Sequence, residues 1–354
     1  MPKDSRAELV MATFADKDPA LREATIGFLL NASADVRGKL IELLELAAPH
    51  GLVSPAMLRR MIAMRNWLPT ADRKGLDTVI KATRKKAVNC APWPRPAVLQ
   101  VLASGIDGSG AFTLIVIAEE AGRSLVAGLL IKQGFGVRDA WVRRDVSIAE
   151  LRELVEHVGR EIGLAETSLD YARTVCCQAL AIHIESGQPV PFALLDCAES
   201  IGLADLNPEA LTVDKLVAHL IAEVDAKRLT AAAVAKTLRQ SANWQDNHPT
   251  LDSWFENNGA KFIGSKRAPR AKQVAVLLAG PLQANRRRWA ELAAWSALSL
   301  KHRRDPSDWQ NFAIVARELL GTRPLEEIGL MMAIADTTLT VMDVNSMIGT
   351  RHAA

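Results

Sequence analysis

Apolar residues recur at helical spacing along most of the chain. Leu76, Val79, Ile80, Thr83 and Ala87 fall on one stripe, the pattern of a helix that buries a single face. This spacing predicts helices over Leu21–Leu30, Val36–Ala48, Leu58–Leu68 and Arg73–Ala87, with polar breaks at Asn31–Asp35 and Pro69–Asp72. The pattern changes between Val98 and Val146. Val98–Ala103, Phe112–Ala118, Ser124–Lys132 and Val137–Val142 are β-rich runs, separated by Asp107–Gly110, Ala121–Gly122 and Gln133–Gly136. Connections this short predict an antiparallel meander, because a parallel crossover needs about a dozen residues. Phe112–Ala118 is almost wholly apolar, so both its faces are expected to be covered.

Helical spacing returns at Ser147, which with Glu150 has the form of a capping box, and continues through Leu151, Leu154, Val155, Val158 and Ile162. Further helices are predicted over Thr167–Ser186, Pro191–Ile201, Thr212–Asp225, Thr230–Gln240, Leu282–Leu300, Asp308–Leu320 and Leu325–Thr337, with a loop at Gly264–Lys272. The fold class expected is α+β and mainly helical, in four parts. Residues 1–90 form a helical, repeat-like region. Residues 91–97, with Pro92, Pro94 and Pro96, form a stiff linker. Residues 98–146 form a small antiparallel β-sheet, and residues 147–354 a larger helical region.

The repeat rests on one offset. Leu21-Arg22 recurs as Leu58-Arg59, Ala34-Asp35 as Ala71-Asp72 and Gly38 as Gly75, each 37 residues on. A helical hairpin with this period must stack on a neighbour to bury its apolar face. Residues 18–87 therefore resemble HEAT-type helical repeats, which implies an extended surface for a protein partner.

Composition narrows the class. Hydrophobic residues make up 49% of the 354, enough for a buried core. The apolar runs, such as Phe112–Ala118, are far below the roughly 18 residues of a spanning helix. Residues 1–14 mix charge with apolar residues, unlike a secretory signal. Four cysteines do not make a disulfide framework, so they are read as thiols and the chain as cytoplasmic.

The formal net charge of +3 hides segregation. Arg59–Lys86 carries nine Lys/Arg against two acids, and Gly264–Arg304 carries ten against one. Asp145–Glu256 holds 18 acids and is strongly negative. The basic islands are either a footprint for polyanions or partners for the chain's own acidic block. The candidate polyanion-binding residues are Lys74, Lys81, Lys85, Arg286, Arg287, Arg288, Arg303 and Arg304.

One motif suggests an enzyme. Asp107-Gly-Ser at the end of a strand, followed by a hairpin, resembles the opening of ribonuclease-H-like nucleases. That resemblance would make Asp107 a metal-ligating carboxylate, with Asp139, Glu150 and Glu153 as the available companions. The alternative is an ordinary turn in which Asp107 caps its own backbone. No phosphate loop, Cys-x-x-Cys, His-x-His or Gly-x-Ser-x-Gly occurs, and Gly134–Asp139 fits a hairpin turn. Cys176 and His183 can share a helix face, but two ligands do not make a zinc site. No cofactor or resident metal is expected. The leading expectation is a non-enzymatic interaction protein; the alternatives are a nucleic-acid-binding protein and a metal-dependent nuclease.

Overall fold

A computed structural model describes residues 3–264 and 268–351; positions 265–267 of the expected Gly264–Lys272 loop lie outside the described residues. Five helices come first: α1 Lys3–Ala15, α2 Pro19–Ala24, α3 Ala34–Ala47, α4 Pro55–Met64 and α5 Thr70–Lys85. Four strands follow: β1 Ala97–Ser104, β2 Ala111–Glu120, β3 Arg123–Lys132 and β4 Gly136–Arg144. Then come α6 Ile148–Ile162, the three-residue β5 Leu164–Glu166, α7 Leu169–Ser186 and α8 Ala193–Ser200. The rest is helical: α9 Val213–Ala222, α10 Ala231–Gln240, α11 Arg270–Leu277, α12 Arg286–Lys301, α13 Trp309–Leu320 and α14 Gly329–Arg351. The protein is α+β and mainly helical, as its periodicity predicts. Among the described residues no helix is long and apolar enough to cross a membrane.

The sheet order is β4-β3-β2-β1-β5. β3 and β4 are antiparallel, with an irregularity between Leu130 and Ile131. Gly128 stands opposite Trp141, and a Cβ on it would come within 2.3 Å of the indole. The missing side chain is therefore what lets the ring lie across β3. The β2–β3 turn has both Ala121 (φ 50°) and Gly122 (φ 75°) in the left-handed region, where paired positive φ values match the twist of a tight hairpin.

Two compact units divide the chain. One comprises the N-terminal residues to Leu102, Thr113–Glu156 and Ala172–Ala210. The other comprises Ala103–Phe112, His157–Tyr171 and the residues from Leu211 onward. The Pro-rich segment thus lies inside the first unit. It is held there by Ala91 N–H donating to the Pro55 carbonyl and by Arg59 donating to the Pro92 carbonyl.

The N-terminal helices repeat in order but not in environment. Asp18 caps α2 and Ser54 caps α4, each followed by proline at the first helical position. Each helix tightens into a 3₁₀ turn, at Thr25–Leu30 and Arg65–Trp67, before the next helix begins. At the matched positions the copies diverge. Leu21 is 44% exposed and Leu58 is fully buried. A Cβ on Gly38 would meet nothing, whereas one on Gly75 would lie 2.7 Å from Ile41 Cγ2.

The core of the first unit includes Leu40, Leu44, Met57, Met61, Leu114 and Leu180. That of the second centres on α12 and α13, with Trp289, Leu292, Phe312 and Ile314 buried. α11 was not expected from the sequence. It runs into a π-helical turn, Leu278–Leu282, that accommodates buried Pro281.

Candidate functional site

The Asp107 loop is built by its own backbone. Asp107 Oδ1 accepts the N–H groups of Ser109 and Ala111, both at 2.8 Å, and the Gly110 N–H donates to the Asp107 carbonyl at 2.9 Å. This is the capping-turn arrangement, with Gly110 at φ 82° supplying the left-handed residue. The loop is half-buried rather than free. Gly108 N–H donates to Ser253 Oγ at 2.8 Å, Trp254 Nε1 donates to the Ile106 carbonyl at 2.9 Å, and Arg288 donates to the Gly108 carbonyl. A Cβ on Gly108 would lie 1.9 Å from the Ser253 carbonyl oxygen, so glycine is required by this close approach.

The other three carboxylates are exposed. Asp139 on β4 accepts the Ala140 N–H at 2.9 Å. Glu150 completes the capping box: it accepts Ser147 N–H at 2.8 Å and Ser147 O–H at 2.7 Å, while its own N–H donates to Ser147 Oγ at 3.3 Å. Those bonds hold the Glu150 carboxyl below its ordinary pKa. Glu153 lies on α6. Among the described residues no three His, Cys, Asp or Glu side chains are grouped as a metal site.

Most of the second basic island is engaged by the chain's own groups. Arg286 donates to the Leu319 and Glu318 carbonyls at 2.7 and 2.8 Å, satisfying the C-terminal end of α13. Arg287 pairs with Asp214, Lys301 with Glu223 at 2.5 Å, and Arg304 with Glu166 at 3.2 Å. Arg288 lies over the Trp289 ring, 4.5 Å from its centroid. Asp214, Glu223 and Glu166 belong to the acidic block, so this island is the partner of the chain's own acids. In the first island, Arg59 and Arg60 converge on buried Glu199 at 2.8 and 2.6 Å, and Arg65 pairs with Asp77 at 2.5 Å. Lys74, Lys81 and Lys85 are different. They are exposed on one face of α5, and among the described residues no ion pair engages them.

The Cys176/His183 pair resolves into packing. Cys176 is buried and its thiol pKa is pushed up by that burial. His183 Nε2 accepts the Val137 N–H at 3.0 Å, and Nδ1 lies 3.2 Å from the Gln188 carbonyl. Burial holds the imidazole below its ordinary pKa, so it is neutral at pH 7. Cys197 Sγ donates to the Trp141 carbonyl at 3.3 Å. Both side chains thereby occupy backbone groups of β4, a strand at one end of the sheet. A cavity of about 130 Å³ in the same unit is lined in part by Asn31, Arg37, Trp67, His183 and Gln188. Arg37 there is committed to Asp72 at 2.6 Å and to the Asn31 and Ala32 carbonyls.

Sequence periodicity did not single out Ser168 and Tyr171, which meet His302 at the start of α7 and the end of α12. Ser168 Oγ accepts the Tyr171 N–H at 3.1 Å and lies 2.9 Å from His302 Nδ1. The Tyr171 and His302 rings are 5.9 Å apart between centroids. A signal was present in the chain: Tyr171 is its single tyrosine and lies within a predicted helix.

Comparison with known proteins finds two segments of the chain similar to Y4lR domains. Residues 2–87 match the family described as Y4lR second domain, and residues 214–343 match the Y4lR C-terminal helical domain. The uncharacterized protein y4lR of Sinorhizobium fredii (strain NBRC 101917 / NGR234) is 27% identical over 347 residues, covering 96% of this chain and 66% of the relative. The chain thus spans about two thirds of that relative's length. No solved structure matches. The helices before the sheet and those from α9 onward are each similar to a Y4lR domain.

Proposed function

We propose that the chain is a cytoplasmic, non-enzymatic interaction protein whose docking surface is the lysine face of α5 and whose partner is an acidic protein surface. The observation that carries this reading is the contrast between the islands. The arginines are largely committed to internal carbonyls and carboxylates, whereas Lys74, Lys81 and Lys85 face solvent with no ion pair among the described residues. Lysine is a flexible point charge suited to an irregular acidic surface. The bidentate arginine geometry that favours phosphate recognition is already used internally. No aromatic side chain lies on α5 to stack a base.

The test compares binding of a polyglutamate peptide and a random DNA duplex across a salt series, with the parent and with Lys74→Glu/Lys81→Glu/Lys85→Glu. The expected result is salt-sensitive binding of the peptide that the triple variant loses. Tighter binding of the duplex, with a log–log salt slope near about −2.7 for three phosphate contacts, would move the assignment to nucleic acid. Failure to bind either polymer would end the α5 reading.

A further inference from the structure

Three breaks in the helices of the first unit meet around the cavity of about 130 Å³. One is Leu29–Ala32, where the 3₁₀ turn after α2 ends, and another is Trp67–Pro69, between α4 and α5. The third is Gly187–Val190, just past α7, with Gly187 turning the chain at φ 67°. Leu29, Leu30, Leu68 and Val190 are each 4% exposed or less, so they form the inner wall. Ala32, Pro69 and Gln188 are exposed, and the cavity opens to solvent on their side. Trp67 is buried, and its indole N–H donates to the Leu206 carbonyl at 2.5 Å, so the ring is pinned and its one polar atom is spent. Pro69 and Pro189 stiffen the mouth. The cavity is therefore preformed, apolar at its depth and open at one side, as small-molecule sites are.

Charge and size narrow the occupant. Arg37 and His183 are the lining residues that can carry charge. The Arg37 guanidinium faces Asp72 at 2.6 Å and donates to the Asn31 and Ala32 carbonyls at 2.7 and 3.0 Å, so its charge is already balanced. His183 has both ring nitrogens engaged and is neutral at pH 7. An ionised ligand would lose its hydration here and meet no free counter-charge. An uncharged one loses little. A cavity of about 150 Å³ in an apolar core holds a benzene ring, so this one has room for a single six-membered ring, with any substituent toward the mouth. The Trp67 indole and the His183 imidazole favour an aromatic ring over a saturated one, since edge and offset contacts between π-systems add to simple burial.

We propose that the cavity between Leu29–Ala32, Trp67–Pro69 and Gly187–Val190 is a binding site for a small, uncharged, single-ring aromatic molecule. The test titrates benzyl alcohol, benzoate and cyclohexylmethanol separately into the full chain at pH 7.5, with binding read by calorimetry and ligand-observed NMR. The expected result is saturable one-to-one binding of benzyl alcohol with a Kd of about 1 mM or tighter. Benzoate should bind at least about tenfold more weakly, and cyclohexylmethanol roughly threefold more weakly. Val190→Leu adds one methylene to the wall of an open space, so it should keep the fold and weaken benzyl alcohol at least about fivefold. Leu30→Ala enlarges the same space and should admit indole, which the parent excludes; it locates the ligand by a gain of binding if Val190→Leu fails to fold. No saturable binding of benzyl alcohol by the parent, or an affinity unchanged in Val190→Leu with indole still excluded from Leu30→Ala, overturns the site. Benzoate or cyclohexylmethanol binding as tightly as benzyl alcohol overturns the assigned ligand class.

Discussion

His183 shows how much one side chain can settle. It sits on α7 with both ring nitrogens engaged, and Gly136 on β4 makes room for it: a Cβ there would come within 2.6 Å of the imidazole. Gly136 is also at φ 95°, so alanine would add backbone strain to the clash. The imidazole is held neutral by burial, which has a consequence for pH. Its folded pKa lies below the unfolded value near 6.5, so the unfolded chain binds the proton first. The stability it contributes is present above about pH 6.5 and is lost as pH falls through that value toward the folded pKa. His183→Gln preserves one acceptor and one donor without the titration. Chemical denaturation between pH 7.5 and 5 should show the parent losing stability more steeply than this variant, which should itself cost about 1–2 kcal/mol at pH 7.5. Coincident slopes would mean that the imidazole is not held neutral. The sequence placed His183 on a helix face with Cys176, but its partner Val137 comes from β4, which no local pattern announces, while Gln188 lies just past the end of α7.

Elements were legible where local chemistry decides them. The capping box at Ser147 and Glu150 was visible as a spacing, and the structure forms all of its bonds. The four strands of the meander follow from β-rich runs and glycine-containing turns, and each differs from its predicted range only at the ends. What escaped was structure made by context. β5 is three residues long, too short for any periodicity to mark it. α11 begins within a basic, proline-containing stretch and ends in a π-turn around Pro281, where a helix would ordinarily be broken. The internal repeat was read at matching residues, yet what recurs is the cap, the proline and the 3₁₀ turn, while burial at Leu21 and Leu58 differs. The capping box also explains why Glu150 is a poor candidate for chemistry: its carboxylate is already spent. Ser147→Ala should remove that reciprocal pair and cost about 1 kcal/mol in denaturant unfolding, whereas Glu153→Gln, on the same helix, should be silent. Equal effects of the two changes would remove the special role of the cap.

Charge organises the molecule as a whole, and here the sequence offered a choice that only geometry could make. The islands and the acidic block could be counted along the chain, but whether they meet depends on which arginine reaches which acid. Burial then ranks the meetings. Glu199 on α8 is 7% exposed and receives Arg59 and Arg60 from α4, with Asp196 as a second acid for Arg60. Asp214 and Arg287 form their pair in the open, each side chain about 60% exposed. Water screens the exposed pair and replaces either partner when the other is lost. At Glu199 it cannot: removing the carboxylate's charge leaves two guanidinium groups facing a neutral amide in a partly dry site, a situation that costs about 3–5 kcal/mol when a buried pair is broken. Glu199→Gln should therefore lower the unfolding free energy by about 3 kcal/mol, the lower end of that range because Arg60 keeps Asp196. Asp214→Asn should leave it unchanged. Parallel urea titrations of the two variants measure the contrast, and 1 M salt should narrow it little, because a pair sheltered from solvent is also sheltered from counter-ions. If both variants unfold with the parent, then the arginines of the first island are solvated charges that happen to lie near acids. They would then join Lys74, Lys81 and Lys85 as a surface open to a partner.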